Sequence, residues 1–98
     1  MSASLNVGGS STSRSGTIAT GGAAQTLMAA NSARRGFWVQ NVSTGDLWIS
    51  DLGMASAAQP SIVVPPGALY EAPSGGVPTS AISIFGATTG QAFSAREW

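Results

Sequence analysis

The chain has no cysteine, no histidine and no lysine, and only 8% of its 98 residues carry charge. Each absence closes a class of chemistry. Without cysteine there is neither a disulfide framework nor a thiolate metal site. Without histidine or lysine, a Ser-His-Asp or Ser-Lys nucleophile cannot be assembled. Transition metals lose their usual nitrogen and sulfur ligands. The acids are Asp46, Asp51, Glu71 and Glu97, and no D-x-D-x-D-G calcium loop contains them. Asp46 and Asp51 flank one strand, where a five-residue spacing puts them on opposite faces and ~16 Å apart. We therefore expect no catalytic residue, no metal and no cofactor.

The charge balance excludes more. Arg14, Arg34, Arg35 and Arg96 offset the four acids, for a net charge of zero. A nucleic-acid binder wants a basic stripe, which is missing. A soluble domain ordinarily has ~25% charged residues. A surface this poor in charge suits a protein covered by partners, because near-zero net charge promotes association. No apolar run approaches the ~18 residues of a membrane helix. The N-terminus lacks the basic start and apolar core of a signal peptide. The glycine pairs Gly8-Gly9, Gly21-Gly22 and Gly75-Gly76 have no G-K-[ST] or G-x-G-x-x-G context, so no phosphate loop is indicated.

What remains is an apolar fraction of 43%, enough for the core of one domain. Residues 1–15, M-S-A-S-L-N-V-G-G-S-S-T-S-R-S, read as an N-terminal arm, flexible or ordered by a partner, with Leu5 and Val7 as its apolar anchors. Residues 16–98 read as a β-sandwich domain. Short strand signals fall at 16–19, 25–30, 37–42, 47–52, 61–64, 68–72, 81–85 and 91–95. Gly/Pro turns such as Pro65-Pro66-Gly67 separate them. About eight short strands without a helical period predict an all-β fold, a small antiparallel β-sandwich of jelly-roll type.

The strongest pattern is R-R-G-F-W-V-Q-N-V-S-T-G-D-L-W-I-S-D-L, from Arg34 to Leu52. Alternation puts Phe37, Val39, Leu47 and Ile49 on a buried face. With Ser43-Thr44-Gly45 as a three-residue loop, the stretch predicts a hairpin pairing Asn41 with Leu47 and Val39 with Ile49. Trp38 and Trp48 would then be diagonal neighbours on the second face. That face could be core under the other sheet, a protein interface, or a sugar-stacking platform. Arg34 and Arg35 suit an ion pair within or between subunits. Trp98 suits a terminal aromatic pinned in a groove. The candidate interface set is thus Leu5, Val7, Arg34, Arg35, Trp38, Trp48 and Trp98. Asn41-Val42-Ser43 matches a glycosylation sequon, but Asn41 is better explained as a turn-former at a strand end.

Three segments carry a resemblance: A-A-N-S-A-R-R-G-F-W-V-Q-N-V-S-T-G-D-L-W-I, then S-I-V-V-P-P-G-A-L-Y-E-A-P, then A-I-S-I-F-G-A-T-T-G-Q-A-F-S-A-R-E. Residues 29–98 resemble a group of small tailed-bacteriophage virion proteins. The pattern is an arginine before a hydrophobic strand, a Q-N-x-S turn, a P-G turn, a further glycine turn and a closing strand with an acid. It falls here on Arg35, Gln40-Asn41-Val42-Ser43, Pro66-Gly67, Gly90 and Glu97. The resemblance implies a non-enzymatic structural role in the virion: capsid decoration (cement), head fibre, or a neck, head–tail connector or tail component. It implies the major capsid protein or another virion protein as partner, a homo-oligomer with a trimer favoured, and a place on the capsid surface after synthesis in the host bacterial cytoplasm. The matched residues are fold determinants, and no binding site is carried over from them. An alternative from another class is a glycan-binding module using Trp38 and Trp48.

Overall fold

The computed structural model describes residues 11–98. These residues form nine short strands and no helix. In chain order they are β1 (Thr12–Ser13), β2 (Gly16–Thr17), β3 (Gln25–Met28), β4 (Phe37–Asn41), β5 (Leu47–Ser50), β6 (Ile62–Val64), β7 (Leu69–Glu71), β8 (Ile82–Gly86) and β9 (Ala92–Glu97). All pair antiparallel, in two sheets. Sheet A runs β1–β9–β4–β7, with β2 also on β9, and sheet B runs β3–β8–β5–β6.

The pairing has a simple logic. β5 pairs with β6, β4 with β7, β3 with β8 and β2 with β9. The chain is one long antiparallel ribbon, folded back at residues 51–61 and wrapped so that successive strand pairs fall in alternate sheets. The β4–β9 and β5–β8 ladders close each sheet. This strand order is that of a jelly roll, the expected fold.

The core fills the space between the sheets. Ile18, Met28, Phe37, Val39, Leu47, Ile49, Val64, Ile82, Ile84, Phe93 and Ala95 are buried there. Alternation explains the selection. Each of β4, β5, β8 and β9 turns every second residue inward, which is where the apolar residues stand.

The expected hairpin between residues 37 and 52 does not form. β4 lies in sheet A and β5 in sheet B, so residues 42–46 cross the sandwich instead of turning within one sheet. Val39 pairs with Ala95 and Tyr70, and Ile49 with Ile62 and Ile84. Both arrangements bury Phe37, Val39, Leu47 and Ile49, so hydrophobic alternation does not discriminate between them. The deciding residue is Asn41, fully buried at the end of β4. Its amide nitrogen donates to the carbonyls of Gly45 and Val64, both at 2.7 Å. Its Oδ1 accepts from the Ser43 amide (2.8 Å) and hydroxyl (2.7 Å). One side chain thus satisfies the crossover's polar groups and ties β4 to β6 in the opposite sheet. With both amide protons committed inside the fold, Asn41 is a buried clamp and not an exposed sequon.

Part of the expected arm is described. Thr12 and Ser13 lie against Glu97 and Arg96 of β9, and the Arg14 amide donates to the Ala95 carbonyl at 2.8 Å. Leu5 and Val7 lie outside the described residues.

Candidate functional site

Because β4 and β5 sit in different sheets, Trp38 and Trp48 point out of opposite faces of the molecule. They are not neighbours, and they cannot form one stacking platform. The environments of the two indoles differ. On sheet A, Trp38 stands between Arg96 and Glu71. The Arg96 guanidinium carbon lies 5.3 Å from the indole ring, a cation–π contact that occupies the ring face. On sheet B, Trp48 stands between Val63 and Phe85. The four strands of sheet B, Q-T-L-M, L-W-I-S, I-V-V and I-S-I-F-G, contain no charged residue. Val63–Trp48–Phe85 is therefore an apolar row on an uncharged face, with Val63 exposed and the two aromatics half-buried.

The loop after β5 extends this apolar character. Leu52 and Met54 are 74% and 84% exposed. The loop that displays them is firmly held. The Leu52 amide donates to Ser50 Oγ at 3.1 Å, the Ala55 amide to Ser83 Oγ at 3.0 Å, and the Ser56 amide to Ser61 Oγ at 3.0 Å. Gly53, between the two apolar residues, has φ 134°, a conformation that glycine takes readily and other residues do not.

At the same end of the sandwich is a buried ion pair. Arg34 Nε donates to Glu97 Oε1 at 2.9 Å, and the two side chains are 0% and 3% exposed. The guanidinium also donates to the carbonyls of Pro78 (2.7 Å), Ser80 (2.9 Å) and Ala29 (2.7 Å). Arg14 reaches the other carboxylate oxygen at 2.6 Å, and Asn31 Nδ2 reaches Oε1 at 3.3 Å. Burial by itself would raise the Glu97 carboxyl. Hydrogen bonds from Arg34, Arg14 and Asn31 outweigh it, and the net shift is downward. The group clamps the 29–34 and 78–80 segments to the end of β9. Removing Glu97 would strand the buried Arg34 guanidinium, so the physical role of the pair is structural.

Each candidate interface residue now has a place. Arg34 is inside, with no side-chain surface to present to a partner. Arg35 is exposed, and its amide donates to the Trp98 carbonyl at 2.6 Å. Trp98 extends the β4–β9 ladder and lays its indole on Gly36, where an added Cβ would stand 2.5 Å from Trp98 Cε2. Its groove is on its own domain. Trp38 and Trp48 are outward on opposite faces, and Leu5 and Val7 are outside the described residues.

Sequence reasoning missed two features. Alternation along β9 puts Glu97 on the inward Phe93–Ala95 face, which signals a buried carboxylate in need of a cation but does not name Arg34 as that cation. The Leu52–Met54 display has no sequence signal beyond two large apolar residues in a loop. Among the described residues no three acidic side chains gather into a metal site.

No family model, no curated protein and no solved structure matches this chain.

Proposed function

We propose that the chain is a non-enzymatic structural protein of a tailed-bacteriophage virion, of the capsid decoration (cement) kind. It docks on other virion proteins, foremost the major capsid protein, through the outer face of sheet B. The observation that carries this reading is the uncharged face with its Val63–Trp48–Phe85 row. Apolar patches of more than a few hundred Å² on a soluble protein mark interaction sites, and this row is the seed of such a patch. The low overall charge points the same way, as does the sequence resemblance. Jelly rolls recur in viral capsid proteins, although the fold alone assigns no role.

The mechanism is thermodynamic. A protein that binds only the assembled shell stabilises it by mass action, by RT ln(1 + [L]/Kd). No bond is made or broken. The rigid sandwich presents a preformed face, so little ordering opposes binding.

The test is a copy count by quantitative mass spectrometry of purified virions from the phage that encodes the chain. Decoration requires on the order of hundreds of copies, since every capsomer junction offers an equivalent site. About a dozen copies would replace decoration by a head–tail connector, neck or tail role. Absence from the particle would overturn the virion reading. The glycan alternative loses its shared platform, because Trp38 and Trp48 occupy opposite faces and Arg96 covers the first of them.

A further inference from the structure

Beside the displayed loop, the sandwich is open. A cleft of about 240 Å³ lies between the sheets, walled by Phe37, Tyr70, Ile49, Ile62 and Ile82 and rimmed by Pro73 and Pro78. It is smaller than the ~300–1,000 Å³ of small-molecule sites. Its size and apolar lining suit one or two aliphatic side chains. The same molecule holds out two such side chains, Leu52 and Met54, on a loop anchored at three points. The cleft rim includes Asp51, the residue before Leu52, so projection and cavity are surface neighbours.

We infer that two copies of this chain associate by exchange, each placing Leu52 and Met54 in the Phe37–Tyr70–Ile62 cleft of the other. A two-fold axis between adjacent projection and cavity fills both sites at once, and the contact is self-complementary and closed. Around such an axis every charge meets its own image; residues 52–70 contain none, and the Asp51 carboxylate at the cleft rim is an acid whose image the contact must keep apart. Met suits the role, since its unbranched thioether adapts to irregular gaps. The preformed loop loses little entropy on insertion. This association is separate from the sheet B face and does not depend on the virion reading, since it is measured on the purified protein alone.

The test is sedimentation equilibrium at up to about 100 µM, a range that reads micromolar association. The wild-type chain is expected to dimerise. A chain carrying Leu52→Asp with Met54→Asp is expected to stay folded, because both side chains are exposed, and to associate at least tenfold more weakly. Ile62→Trp, which plugs the cleft, is expected to do the same. If that variant unfolds, Gly76→Trp replaces it at a rim position where an added Cβ meets nothing within 4 Å. The decisive arm mixes the two variants. Each alone lacks either projections or cavities, but the mixed pair retains one intact insertion, so heterodimer should appear where neither homodimer does. A monomeric wild-type chain, another stoichiometry, or a mixture with no heterodimer overturns the exchange. Deleting residues 1–10 should leave dimerisation unchanged. Its loss on that deletion would move the contact to the N-terminal segment and also overturn the proposal.

Discussion

The two sheets of this sandwich are built alike and dressed differently. Both are antiparallel, both present alternate apolar residues to a shared core, and both carry one outward tryptophan on a central strand. Sheet A holds every charged residue found in a strand: Glu71 and Arg96 outward, Glu97 inward. Sheet B holds none. The same residue type therefore does different work on each side. Trp38 meets the Arg96 guanidinium within a polar row, whereas Trp48, also half-buried, stands in an apolar one. The lesson is that an outward tryptophan becomes a docking candidate only through its cross-strand neighbours. The outer face of sheet A mixes charge with an exposed leucine, Leu69, whereas the strands of sheet B carry no charge.

Glu97 tests the charged side of this contrast and should give the largest effect. Glu97→Gln leaves the fully buried Arg34 without its counter-charge and should cost about 3–5 kcal/mol in chemical denaturation. It should also change the pH response. The Glu97 carboxyl titrates below its ordinary value in the folded state. Its contribution is therefore complete above the unfolded carboxylate range and disappears as pH falls through the lowered folded value. Wild-type protein should lose stability on that acid limb, and Glu97→Gln should lack that component. An identical acid limb in both proteins would remove Glu97 from the account.

Asn41 is the link between the sheets and comes next. Asn41→Ala removes the buried donor to the Val64 carbonyl, leaves Gly45 only the Ser43 hydroxyl, and should cost about 1–3 kcal/mol. The loss should be the same at every pH, since nothing titrates. Gly36→Ala follows. Its methyl group would collide with the Trp98 indole and should cost about 1–3 kcal/mol, with increased exposure of the indole to a fluorescence quencher. The smallest effect belongs to Trp38→Ala. It removes a cation–π contact worth about 0.5–1 kcal/mol, and it should leave docking untouched.

The sequence was informative about faces and uninformative about partners. Alternation in F-W-V-Q-N and L-W-I-S located both strands and the inward residues Phe37, Val39, Leu47 and Ile49. It could not tell a hairpin from a crossover, because both bury the same four side chains. The distinguishing residue was present: Asn41 stands on the inward face, where an amide must find four partners, and a crossing loop supplies carbonyls and hydroxyls that a tight hairpin would spend on its own ladder. Because the two strands part company, the tryptophans part with them, and one supposed platform became two dissimilar surfaces. The Arg34–Glu97 pair joins residues 63 positions apart in sequence, a separation that periodicity does not reach. The Leu52–Met54 loop and the open cleft are properties of shape, visible only once the sheets are placed.

The central proposal is that the outer face of sheet B docks the protein on a virion shell. The direct measurement is occupancy of Trp48→Ala and Trp38→Ala on heads of the encoding phage stripped of this protein, read by sedimentation with quantitative mass spectrometry. Trp48→Ala should melt within a few degrees of the wild type and lose at least tenfold in apparent affinity, about 1.4 kcal/mol. Trp38→Ala should bind as the wild type does. A Trp48→Ala protein that fills the shell undiminished, or one that fails to fold, would contradict the account.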